Sequence, residues 1–106
     1  MEPETNITYE VLDEGVVCIK VQGQLTHSEI YLFEKIRLTL PECQKVIVDL
    51  SETKEVDSTG FGAFIHLKDS AEQKEREVIL KDPNQKIHAF IEACHFDELF
   101  TIQFSA

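Results

Sequence analysis

Residues 46–67 constrain the fold more than any other part of the chain. Val46-Ile47-Val48-Asp49-Leu50 is a short apolar run of strand length, and Ala63-Phe64-Ile65-His66-Leu67 reads as the body of a helix. Between them stands Val56-Asp57-Ser58-Thr59-Gly60-Phe61-Gly62, with two hydroxyls, an acid and two glycines. Here a strand hands over to a helix across a polar joint. The joint exposes first-turn N–H groups and a serine, and what that serine does is the central functional question.

The flanks extend the same alternation. Residues 7–12 and 16–23 read as two strands joined by the turn Asp13-Glu14-Gly15, an N-terminal hairpin. Thr26 followed three residues later by Glu29 is a capping-box pattern, which starts a helix near His27. That helix turns Ile30, Phe33, Ile36 and Leu40 inward and Glu34, Lys35 and Arg37 to water, and Pro41 stops it. The run at 46–50 is expected to be covered on both faces. The helix after Ser58 turns Phe61, Phe64, Ile65, Leu67 and Ala71 inward. Lys68, Glu72, Lys74 and Arg76 face water, with Glu72 and Arg76 paired one turn apart. Val78-Ile79-Leu80 is the next strand. Asp82 as cap, Pro83 and Gln85 open a third helix, with Ile87, Phe90, Ile91 and Cys94 on one face. A helical turn at 97–100 and an edge strand at 101–104 close the chain. The order predicts an α/β fold: a mixed sheet with an N-terminal hairpin, βαβ crossovers and helices packed against it, as one domain over residues 1–106. Functional groups in such sheets gather at the carboxyl ends of strands, where the joint lies.

Charge excludes several functions. Twenty acids against ten bases give a net charge of −10, which disfavours nucleic acid and anionic membranes. No apolar run has the length of a membrane span, and residues 1–6 are acidic rather than signal-like. Cys18, Cys43 and Cys94 are widely spaced, which argues against a disulfide framework or a zinc site and for thiols that fill the core. Free thiols without an export signal point to the cytoplasm.

The joint itself excludes more. No lysine precedes the hydroxyls as a Walker loop requires, and three spaced glycines of a dinucleotide fingerprint are absent. Asp-Ser-Thr-Gly is not the Gly-x-Ser-x-Gly of a nucleophile elbow. His66 lies about 12 Å along the same helix from Ser58, beyond reach as its base. His27, His88 and His95 have no supporting spacing. No metal or cofactor set is expected, and the chain is not expected to be an enzyme. Ser58 is then a cap or a modification acceptor. Asp57 can serve as the cap equally well. A phosphate on Ser58 would add about −1.5 to −2 charges at a helix end whose dipole tolerates an anion. Gly60 and Gly62 each cost about 1 kcal/mol in a helix, which implies a tight joint or room for a partner's approach.

Taken together, Val46-Ile47-Val48-Asp49-Leu50-Ser51 and Val56-Asp57-Ser58-Thr59-Gly60-Phe61-Gly62 resemble the signature of the STAS domain, above all that of bacterial anti-sigma factor antagonists. Val21-Gln22-Gly23-Gln24-Leu25 and Phe96-Asp97-Glu98-Leu99-Phe100 fall in the family's order, so the likeness spans nearly the whole chain. It implies that Ser58 is phosphorylated by an anti-sigma factor serine kinase. The unphosphorylated form would bind that kinase and free a sigma factor, and a metal-dependent serine phosphatase would restore it. Asp57, Thr59, Gly60, Phe61 and Gly62 would share the partner-facing surface, and ATP would belong to the kinase. The alternative is a STAS interaction module of another signalling complex or of a transporter assembly. Three positions depart from the family: Thr26 stands where an acid is usual, Glu55 where an apolar residue is, and Arg76-Glu77 where a Gly is common before the next strand.

Overall fold

The computed structural model describes residues 5–105; residues 1–4 of the acidic start read above lie outside them. Strand β1 (Asn6–Asp13) turns at Gly15 and runs back as β2 (Val16–Leu25), antiparallel with Tyr9 opposite Ile19. Gly15 holds φ 78°, a left-handed turn position that glycine reaches without strain. The predicted hairpin is present.

Helix α1 (Ile30–Leu38) begins three residues later than the capping pattern suggested. The Glu29 carboxylate does reach back, accepting from the Thr26 N–H at 3.1 Å. The Thr26 hydroxyl donates to that same carboxylate at 2.7 Å instead of capping the helix. Residues 26–29 are therefore closed into a turn, and the helix starts behind it. Glu34 and Arg37 are not on a wet face. They form an ion pair at 2.7 Å, and Arg37 donates to Ser70 Oγ of the next helix at 2.8 Å.

Strand β3 (Lys45–Asp49) lies parallel to β2, and β5 (Glu77–Lys81) lies parallel to β3. Between them the chain forms a strand that periodicity did not reveal, β4 (Thr53–Val56), followed by α2 (Ser58–Gln73). Strand β4 pairs in parallel with the end of β2, Leu25 opposite Val56. Thr53 anchors it, with its buried hydroxyl donating to the Val21 carbonyl at 2.7 Å. So β4, not β3, hands over to the helix.

The core takes one face of the sheet. Val17, Ile19 and Val21 of β2, Val46 and Val48 of β3 and Val78 and Leu80 of β5 alternate onto Phe33, Phe61, Phe64, Leu67, Ile87 and Ile91 from the helices. The two-residue period is that of a sheet with one packed face. Ile47 is only half-buried and outside this cluster, so β3 is not covered on both faces as expected.

Helix α2 ends in a turn that glycine usually makes. Arg76 N–H reaches the Ala71 carbonyl at 2.8 Å and Glu75 N–H reaches Glu72 at 3.1 Å, the paired bonds of a Schellman turn. Its left-handed position is Glu75, at φ 56°. Glu75→Gly is expected to raise stability by about 1 kcal/mol, because a side chain costs roughly that much in this conformation. Urea unfolding checks this through a higher midpoint at unchanged slope. The Glu72–Arg76 pair is not formed: Glu72 pairs with Lys68, and Arg76 lies past the helix end with its side chain 6% exposed.

Helix α3 (Gln85–Ala93) is capped by Asn84 rather than Asp82, its Oδ1 accepting from Ile87 N–H at 2.8 Å. Asp82 is drawn away to Ser105, accepting from its N–H at 2.6 Å and its hydroxyl at 2.7 Å. Cys94 is exposed at the helix end, so only Cys18 and Cys43 are buried. A 3₁₀ turn (Phe96–Glu98) leads to β6 (Thr101–Gln103), parallel to β5 at the sheet edge. Among the described residues no helix is long and apolar enough to cross a membrane.

Candidate functional site

The joint predicted from sequence sits at the carboxyl ends of β2 and β4. Asp57 organises it. Its Oδ1 accepts from the Gly60 N–H at 2.9 Å and caps α2. Its Oδ2 accepts from the backbone N–H of His27 at 3.0 Å, with the imidazole Nδ1 3.6 Å away. One carboxylate thus ties the start of α2 to the turn after β2. Partial burial works against its charge, but the bonds from Gly60 and His27 outweigh that and hold Asp57 below the usual carboxylate range.

Asp57→Ala is expected to lose about 1–2 kcal/mol at neutral pH, the value of a lost cap. The pKa of Asp57 is lower folded than unfolded. Its contribution is complete above the ordinary carboxylate value of about 4 and fades as pH falls through the lowered one. Urea unfolding across the acid range checks this: the gap between wild type and variant closes on acidification. A constant gap removes the charged carboxylate from the account.

With Asp57 as the cap, Ser58 is free. Its side chain is exposed, and among the described residues its hydroxyl makes no hydrogen bond. First-turn N–H groups have no intrahelical acceptor, and among the described residues those of Ser58 and Thr59 have no other backbone or side-chain acceptor. Among the described residues no imidazole is hydrogen-bonded to Ser58: His27 faces Asp57, His66 lies 3.8 Å from Glu34 and His88 lies 3.5 Å from Glu92. Among the described residues no group of three or more His, Cys, Asp or Glu is placed to hold a metal.

The two glycines have different roles. A Cβ on Gly60 would stand 2.4 Å from the Leu25 carbonyl oxygen and 2.6 Å from Val56 Cγ1. Gly60 therefore lets the helix start seat against the end of β2. A Cβ on Gly62 would meet nothing within 4 Å, so that position leaves open surface. Thr59 is exposed like Ser58. Phe61, expected on the partner-facing surface, is 2% exposed and stacks on Phe90 at a centroid distance of 4.5 Å. Phe61 and Gly60 shape the site from beneath, while Ser58, Thr59 and Gly62 form its outer face.

Sequence patterning places neither His27 nor Glu29 in the site. Glu29 places its carboxylate against the backbone N–H and hydroxyl of Thr26. Burial opposes its charge, and bonds from Thr26 and Gln24 outweigh this and hold its carboxyl below the usual range. The Thr26–Glu29 spacing is the available signal for Glu29, and as a capping box it points to a helix start rather than to the joint. Nothing local links His27 to Asp57.

The family model of the STAS domain matches residues 7–105. The chain belongs to the STAS domain family. Among solved structures, a putative anti-sigma factor antagonist from Thermotoga maritima superposes with a TM-score of 0.86 at 20% identity, over 93% of this chain and 86% of that one. The Bacillus cell fate determinant SpoIIAA in its phosphorylated form gives 0.70 at 14% identity, over 95% and 92%. A sulfate transporter family protein from Wolinella succinogenes gives 0.77 at 15% identity, over 89% and 80%. At these identities the likeness is one of fold. This STAS domain therefore has structural neighbours both among anti-sigma factor antagonists and in the sulfate transporter family.

Proposed function

We propose that this STAS domain is an anti-sigma factor antagonist switched by phosphorylation of Ser58. The observation that carries the reading is an exposed hydroxyl at the start of α2 that Asp57 has relieved of capping. The partner is an anti-sigma factor serine kinase acting in the cytoplasm. It transfers the γ-phosphoryl group of ATP to Ser58 Oγ: the new O–P bond forms, the bond to ADP breaks, and the serine proton passes to a base of the kinase. The unphosphorylated face, built from Asp57, Ser58, Thr59 and Gly62 over Gly60 and Phe61, holds the kinase and so frees its sigma factor. The phosphorylated face releases it. A metal-dependent serine phosphatase then hydrolyses the ester with water, returning the hydroxyl and inorganic phosphate. This chain needs no metal or cofactor of its own and acts as a single binding domain.

The fold neighbour in the sulfate transporter family favours one second reading, a STAS module of a transporter or another signalling assembly. One experiment separates the two. The protein is incubated with ATP and the anti-sigma kinase of the same genome, and its intact mass is measured. The antagonist reading expects one phosphate on wild type and on Thr59→Ala, and none on Ser58→Ala. Unmodified wild type would leave the module reading.

A further inference from the structure

At the far end of α2 from Ser58, the helix borders a partly open cavity of about 170 Å³ walled by Val46 and Leu67. Its polar lining is Arg37, Ser70, Gln73, Lys74 and Arg76, with no carboxylate among the lining residues. Three of the ten basic residues of a chain with net charge −10 thus converge on one cavity. Arg37 is already balanced by Glu34 and held to Ser70. Arg76 is not. Its side chain is 6% exposed, its Nε is buried with no hydrogen-bond partner, and its Nη2 reaches only the Pro41 carbonyl at 3.4 Å. The one ion pair that Arg76 makes among the described residues is to Glu42, at 3.9 Å, a carboxylate that is itself 98% exposed.

A guanidinium taken out of water without a close acceptor is costly, and removing that cost is what a ligand would contribute. The C-terminal dipole of α2 explains a lysine at its C-cap, but not a buried Nε left unpaired. On its other side Arg76 borders a groove carrying Glu72, Glu77, Asp97 and Glu98, none of which pairs with it. We propose that this cavity binds a small dianionic oxyanion, held by Arg76 and Lys74 and oriented by Ser70. Arg76, paired only at 3.9 Å with an exposed carboxylate, and Lys74, without an ion pair among the described residues, together match a divalent anion. Guanidinium geometry suits the paired oxygens of phosphate or of a carboxylate. The volume far exceeds the roughly 30 Å³ share of one water. The site is independent of Ser58 and of the reading proposed for it.

The test is a titration of the folded protein with inorganic phosphate, followed by amide chemical shifts, against sodium chloride at matched ionic strength. Malonate and acetate arms distinguish phosphate from carboxylate and dianion from monoanion. Saturable shifts are expected at Ser70, Lys74 and Arg76, with phosphate or malonate at least about tenfold tighter than acetate. Arg76→Gln should weaken the dianion at least about tenfold. Lys74→Gln, at the exposed helix end, keeps the fold and should weaken it on the order of threefold. Non-saturating shifts, saturable shifts confined to the start of α2, or unchanged affinity in Lys74→Gln overturn the proposal, and the last applies even if Arg76→Gln does not fold.

Discussion

Gly60→Ala is expected to destabilise the protein by about 3 kcal/mol, the upper part of the range for overpacking a filled site. The added methyl group would lie 2.4 Å from the carbonyl oxygen of Leu25. Its neighbours there are a backbone atom paired into the sheet and the side chain of Val56, so neither can swing aside as a flexible side chain would. Relief requires lifting the start of α2 from the end of β2. That movement also stretches the Asp57–His27 bond and exposes Phe61. Gly62→Ala is the internal control. It meets nothing, and replacing an interior helix glycine should raise stability by about 1 kcal/mol. Equilibrium unfolding of the two variants should therefore move in opposite directions. Equal effects would mean that the close approach at Gly60 does not govern the joint.

The second large effect is on binding. Ser58→Asp is expected to keep the fold and to bind the anti-sigma kinase at least about tenfold more weakly than wild type, given that a like-charge clash costs several kcal/mol at an interface. The fold survives because an anion in the first turn gains about 0.3–1 kcal/mol from the helix dipole, and the exposed side chain displaces nothing. Binding falls because the new carboxylate adds bulk and negative charge to the exposed face that the kinase would cover. Circular dichroism and a binding isotherm on the same sample check both halves. An unfolded variant would show that the switch is not a surface event, and unchanged affinity would remove charge as its cause. This test concerns the Ser58 face alone. It leaves the cavity at Arg76 untouched, because the two lie at opposite ends of α2.

The elements were largely legible in the sequence, and the reason is local. Val17, Ile19 and Val21 alternate because a strand presents every second residue to one face, and Phe61, Phe64 and Leu67 recur because a helix returns to the same face every three or four. The turn at Gly15 and the stop before Pro41 are likewise decisions of a few adjacent residues. The serine at the strand–helix joint and its N-terminal setting follow from the same kind of reading, as does the STAS resemblance carried by residues 46–62. Where local signals competed, tertiary contacts chose. Asn84 caps α3 because its amide also donates to the Thr53 and Lys54 carbonyls at 3.2 Å, while Asp82 is taken by Ser105. Helix α1, by contrast, starts late for a local reason: Glu29 is engaged with Thr26 three residues before it.

Residue type and spacing by themselves determined that a hydroxyl would stand at the start of a helix behind an acid, with two glycines beside it. Only the tertiary structure decided which groups were free. Thr-Lys-Glu-Val has no strong strand signal, and β4 exists because the end of β2 offers it a partner and Thr53 a buried bond. Asp57 became the cap, and Ser58 the exposed hydroxyl, because His27 lies within reach of the same carboxylate. Gly60 and Gly62 are identical in sequence terms and separate only when Leu25 is brought against one of them. Arg76 reads as a wet helix residue until the turn at Glu75 carries it over the cavity. In each case the deciding neighbour lies dozens of residues away in the chain or beyond the helix end. Periodicity along one segment carries no record of such contacts, because they form only when the sheet is assembled.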